Sequence, residues 1–154
     1  MIREEERKMF EKILYPTDFS DVSKKALEFV KRLKGAGARE VILLHVIDKR
    51  TIESMAMSMY VTGDAFKIEN DMMEYAKTEM SAMERELKQI GFGVKVLIEK
   101  EIPFREILRV EKQEKASIIV IGSHGKSNIE EMLLGSVSEM VVRKAEKPVL
   151  VIKR

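Results

Sequence analysis

The residues with the clearest chemistry in this chain are Gly122, Gly125, Gly135 and Ser136, spaced as Gly-x2-Gly-x9-Gly-Ser. Two glycines close together let the backbone turn sharply and let a ligand approach the main chain, because no Cβ intervenes. Gly135-Ser136 opens a stretch in which Val137, Met140, Val141 and Lys144 recur at helical spacing. A helix start carries unpaired N–H groups and about half a positive charge, so it suits a phosphate. Ser123, His124 and Lys126 lie inside the loop, and Ser136 and Ser138 place hydroxyls at the helix start. Those hydroxyls can cap the helix and also meet phosphate oxygens. Lys126 is either a point charge over bound phosphates or a solvated loop lysine. It is not a P-loop lysine. A Walker A loop needs a glycine five residues before its Gly-Lys, and position 120 is Val.

A second polar cluster, Pro16-Thr17-Asp18, follows an early apolar run. Asp18 and Ser20 are both good caps for the helix that follows, and Asp18 is alternatively a ligand contact. The two histidines are His45, in an apolar run that predicts a packed core residue, and His124, in the glycine loop where it can meet phosphate. With no cysteine and no spaced carboxylate cluster, a structural metal site is not expected. A Mg²⁺ ion would be held mainly by ligand phosphates, with Asp18 as its protein contact.

Five aliphatic runs must position these residues: 12–17, 41–46, 94–98, 118–121 and 148–152. They read as strands buried on both faces. Helical spacing between them appears at Val22, Ala26, Phe29, Val30 and Leu33. It appears again from Ile68 to Ile90, and at Phe104, Ile107 and Leu108 after Pro103. Gly35-Ala36-Gly37 and Gly91-Phe92-Gly93 follow helices and read as helix stops, not dinucleotide fingerprints. Residues 48–67, with Met55, Met57, Met59, Tyr60 and Gly63, show no period and read as a mobile loop with a helical turn. The methionines are gap-fillers or a partner surface. Alternating strands and helices predict an α/β fold: one doubly wound, Rossmann-like domain over 12–154. Its parallel sheet has order 3-2-1-4-5 and helices on both faces, and residues 1–11 form a solvated lead-in. Ligands of such sheets bind past the strand ends at the switch point. Thr17-Asp18 should therefore face Gly122–Gly125.

The composition narrows the remaining classes. The 154 residues suffice for one domain with a full core. A net charge of +2 gives no electrostatic case for nucleic acid or an anionic membrane. No apolar run approaches the roughly 20 residues of a membrane span. The start, Met1-Ile2-Arg3-Glu4-Glu5-Glu6, is charged where a signal peptide needs an apolar core, so a cytoplasmic location is expected. In the expected order the last strand, 148–152, lies at a sheet edge. It is apolar on both faces, which invites antiparallel pairing in a homodimer.

The glycine spacing, the segment Ile13-Leu14-Tyr15-Pro16-Thr17-Asp18-Phe19-Ser20 and the terminal Pro148-Val149-Leu150-Val151-Ile152 together resemble the ATP-binding branch of the universal stress protein family. The resemblance covers nearly the whole chain. It implies ATP, with Mg²⁺, held by residues 122–126 and 135–138. It implies that Pro16, Thr17 and Asp18 line the adenosine end, that Val46 lies near the base, and that the chain forms the same homodimer. A nucleotide-dependent sensor or regulator is the reading these features support. A slow ATPase or adenylate-transferring enzyme, or an interaction module without nucleotide, are the alternatives. His124 is the one clear water-orienting candidate near the loop, since Glu130 and Glu131 read as a solvated face, so little or no hydrolysis is expected.

Overall fold

Five runs of aliphatic residues form β1 (Lys12–Pro16), β2 (Glu40–Asp48), β3 (Gly93–Glu101), β4 (Ile118–Gly122) and β5 (Val149–Ile152). They make one parallel sheet in the order β3-β2-β1-β4-β5. The structure is a computed structural model that describes residues 9–59, 65–126 and 134–154. The helices are α1 (Asp21–Leu33), α2 (Lys49–Met59), α3 (Ala65–Gln89), α4 (Pro103–Gln113) and α5 (Ser136–Lys144).

Alternation along the strands divides the core between the two sheet faces. Ile13, Tyr15, Val41, Leu43, Ile118 and Val120 pack with α1 and α3. Leu14, Ile42, Leu44, Ile119 and Ile121 pack with α4 and α5. This is the expected doubly wound arrangement. All five residues of β4 are buried, at about 1.5–3 kcal/mol for each aliphatic side chain, so burial rather than length holds this short strand. The ladders are unequal. β2 pairs with β3 from Glu40↔Gly93 to Asp48↔Glu101, whereas β1 meets β4 only at Ile13↔Ile118 and Leu14↔Ile119.

The helix ends follow the sequence where glycine or proline marks them. Gly37 (φ 101°) and Gly91 (φ 91°) take the left-handed conformation after α1's short 3₁₀ extension and after α3. Pro103 begins α4. Ser20, not Asp18, caps α1, its Oγ accepting from Ser23 N at 3.2 Å. Asp18 Oδ1 instead accepts from Ser20 N at 3.0 Å and shapes the turn before the cap.

The loop expected over 48–67 is corrected by α2. Asp48 caps that helix, its Oδ1 accepting from Arg50 N at 3.0 Å. Most side chains of α2 are exposed, with Ile52 and Ala56 among the few half-buried, so it lacks the apolar stripe that periodicity detects. Good helix formers on a solvated surface leave no such signal. Tyr60 and Gly63, like Met1 to Lys8, Ser127, Glu130 and Glu131, lie outside the described residues.

Candidate functional site

Past the C-terminal ends of β1 and β4 opens a cavity of about 860 Å³. Pro16, Thr17, Asp18, Val46, Gly122, His124, Gly125, Lys126, Gly135, Ser136, Val137 and Ser138 all line it. The topology thus brings together two clusters separated by about a hundred residues, as the switch-point argument requires.

Each glycine of the motif has a different use. Gly122 lets the end of β4 pass against the first turn of α1, since a Cβ there would lie 3.0 Å from Val22 Cγ1 and 3.2 Å from Ser23 N. A Cβ on Gly125 would lie 2.8 Å from Asp18 Oδ2, so that glycine gives Asp18 its place. The chain bends at Ser123 and at Lys126 without a positive φ at either glycine, so their use is close approach rather than left-handed backbone. A Cβ on Gly135 would make only ordinary contacts, 3.4 Å to His124 Cα and 3.5 Å to Ser123 O. The packing of the described residues makes little use of that glycine.

Ser123 does not line the cavity; it is buried and closes the loop. Its carbonyl accepts from Gly135 N and from Ser138 Oγ, both at 2.7 Å, and its N–H donates to Ile152 O at 2.8 Å. Ser123 Oγ lies 2.8 Å from His124 Nδ1. Because Ser138 Oγ also donates to Gly135 O at 3.1 Å, its proton is committed to the backbone and only its lone pairs face outward. The N-cap residue of α5 is Gly135, which has no side chain to cap the helix, so the helix start meets the cavity in an arrangement that suits an anion. Lys126 is exposed, with Nζ 5.8 Å from the Tyr75 ring centroid.

Below Thr17 a buried hydroxyl chain ties β1 to α1. Tyr15 OH donates to Ser23 O at 2.7 Å, and Ser23 Oγ donates to Thr17 Oγ1 at 2.7 Å. Burial pushes the Tyr15 phenol up from its ordinary value, so it stays a donor. Thr17 Oγ1 also accepts from Phe19 N at 3.1 Å. Phe19 takes φ 65°, a left-handed conformation that costs a bulky residue on the order of 1–3 kcal/mol.

The sequence reading placed His45 in the core. It is half-buried and lines the cavity instead. Its ring stacks on Phe19 at 4.3 Å, and Phe19 meets Tyr75 edge-on at 5.6 Å. His45 Nδ1 lies 2.7 Å from Thr17 O, so Nδ1 carries the proton. Burial pulls its pKa below the ordinary value, opposed by the Thr17 carbonyl and assisted by Lys126. Phe19, Met55, Met72 and Tyr75 also line the cavity, though the sequence marked none of them as a ligand contact.

The family model described as the universal stress protein family matches residues 9–153. The chain belongs to this family. The universal stress protein MJ0577 of Methanocaldococcus jannaschii is 45% identical over 95% of the chain and 96% of its own length. The solved structure of MJ0577 superposes with a TM-score of 0.86 at 46% identity, covering 95% of this chain and 97% of that one. A universal stress protein from Archaeoglobus fulgidus, solved in complex with dAMP, shares the fold at a TM-score of 0.63 and 24% identity, covering 94% and 99%.

Proposed function

We propose that this universal stress protein binds ATP in the switch-point cavity and acts as a nucleotide-dependent sensor or regulator in the cytoplasm. The observation that carries this reading is the start of α5. It is an uncapped helix N-terminus opened by a glycine that the described packing uses little. A bound phosphate accounts for both features. The volume lies within the about 300–1,000 Å³ of small-molecule sites. The dAMP complex of the Archaeoglobus fulgidus relative is in keeping with a nucleotide in this fold. In this reading Gly122, His124, Gly125, Lys126, Gly135, Ser136 and Val137 hold the phosphates, while Ser123 and Ser138 keep the loop in shape behind them. Pro16, Thr17, Asp18 and Val46 hold the adenosine.

Among the described residues no group of three His, Cys, Asp or Glu could hold a metal. Mg²⁺ would therefore arrive with the phosphates, with Asp18 as its protein contact. Without a Walker lysine, hydrolysis is slow or absent, and phosphate release under saturating ATP and Mg²⁺ measures it. The decisive test is calorimetric titration of the parent and of Gly135→Val. The variant should fold but lose most ATP affinity, and parental affinity in a folded variant refutes the reading.

The same proposal includes a homodimer through β5. The opposite edge strand, β3, carries Lys95, Glu99 and Lys100, which discourage pairing, whereas Val149–Ile152 carries no charge. Leu150→Pro should yield monomer or aggregate by light scattering. An unchanged dimer mass contradicts this geometry.

A further inference from the structure

Along β2, Val41 and Leu43 belong to the core beneath α1 and α3. Alternation puts the next odd residue, His45, on the same face, where an aliphatic side chain would continue the core. The imidazole there is fixed on two sides. Nδ1–H is held by Thr17 O at 2.7 Å, and one ring face lies against Phe19 at 4.3 Å. A carbonyl can only accept, so the neutral ring keeps a bare lone pair on Nε2. Nε2 has no hydrogen-bond partner among the described residues, and it is not enclosed: the enclosed side-chain atom left without a partner is Glu111 Oε2. Since His45 lines the cavity, its lone pair is open to whatever the cavity holds.

We propose that His45 is a specificity-determining residue of this site, its Nε2 accepting a hydrogen bond from an N–H or O–H donor on the nucleoside end of the ligand. The inference rests on the nucleotide reading above, in which the neighbouring Thr17 and Asp18 face the adenosine. Thr17 acts twice in this arrangement. Its carbonyl sets the tautomer of His45, and its hydroxyl accepts from Phe19 N, holding the residue whose ring braces the imidazole. The acceptor is therefore preorganised, and a ligand lacking the donor would leave it unpaired in a partly desolvated wall. The shared chemistry is one donor, supplied either by a ribose hydroxyl or by the 6-amino group of adenine.

The experiment titrates the parent, His45→Asn and His45→Phe with ATP, 2′-deoxy-ATP, 3′-deoxy-ATP and the purine riboside triphosphate that lacks the 6-amino group. Asn keeps an N–H toward Thr17 O but places nothing at Nε2. Phe keeps the stack on Phe19 and lacks both nitrogens, so it serves if Asn disturbs the fold. Both should weaken ATP binding on the order of tenfold, and one analogue should bind parent and variants alike, identifying the donor. A purely structural role would instead lower affinity for all four ligands by the same factor, and that result overturns the inference. ATP binding unchanged in both variants also overturns it and leaves the nucleotide reading intact. A parent chain that binds none of the four overturns both.

Discussion

At the strand beginnings, Glu11 O accepts from Arg39 N at 2.9 Å and Glu40 N at 3.0 Å, and Ser117 N donates to Lys12 O at 2.8 Å. There Glu111, 1% exposed, spends one carboxylate oxygen on Glu146 N at 3.0 Å and Lys147 N at 2.7 Å, fixing the turn into β5. At the strand ends the same inventory of main-chain and side-chain groups stays partly unspent. α5 starts without a side-chain cap, His45 turns a lone pair to the cavity, and Phe19 is held in a strained conformation. Folding requires buried polar groups to be paired, so the end that pairs these backbone groups, with only Glu111 Oε2 left over among the enclosed side-chain atoms of the described residues, serves stability. The end that leaves groups waiting is the one that can hold a guest.

Substitutions at the two ends should therefore separate stability from binding. The largest effect is expected for Glu111→Ala, which strips the acceptor from two backbone N–H groups. It should cost about 3 kcal/mol in chemical denaturation and leave the nucleotide affinity of the folded fraction unchanged. A loss under about 1 kcal/mol would break the comparison. Gly122→Ala falls between the two classes, because its Cβ would press on Val22 Cγ1 at 3.0 Å. It should cost about 1–3 kcal/mol and also weaken binding, since β4 carries the loop.

Gly125→Ala sharpens the contrast. Its Cβ meets Asp18 Oδ2, and the carboxylate can turn aside about its Oδ1 contact with Ser20 N, so stability should stay within about 0.5 kcal/mol while affinity falls in calorimetry. The smallest effect concerns pH. Burial lowers the folded-state pKa of His45 below the ordinary value of about 6.5. The unfolded chain therefore binds this proton more tightly. Its contribution to stability is present above the ordinary value and is lost as pH falls through the folded pKa. Comparing the parent and His45→Phe across that range by thermal unfolding isolates it. A parent profile with no excess acid sensitivity over the variant would contradict it.

The sheet was legible because each strand is built around an aliphatic run, interrupted by charges chiefly in β3, and strand order followed from the handedness of crossovers. The convergence of Thr17-Asp18 on the glycine loop was legible for the same reason, as the switch point has one place in that order. The uses of the individual glycines were not. Gly122 and Gly125 are indistinguishable in sequence, and their different neighbours, Val22 and Asp18, are set by tertiary packing. α2 was hidden because an exposed helix leaves no hydrophobic period. His45 was read as a core residue because its neighbours in sequence are aliphatic. The available signal was an ionisable side chain at an odd position of β2, next to Val46 and level with the end of β1. Phe19 and Tyr75 carry no local mark: Phe19 meets His45 only once β1 pairs with β2, and Tyr75 meets Phe19 only once α3 packs on the sheet.

The unequal ladders have a consequence for the exchange of amide hydrogens. β1 and β4 share only the pairs Ile13↔Ile118 and Leu14↔Ile119, so the sheet has its narrowest seam directly beneath the cavity. Sub-global opening should favour this seam, separating β3-β2-β1 from β4-β5. A nucleotide touching Thr17-Asp18 on one side and residues 122–126 on the other would bridge it. At a hundred times its dissociation constant, a ligand bound only to the closed form adds about 2.7 kcal/mol to the cost of opening. Saturating ATP should then slow exchange at residues 13–17 and 118–123 by on the order of a hundredfold, and leave amides that open locally within α3 unaffected. The thin seam would make the sheet itself a reporter of occupancy.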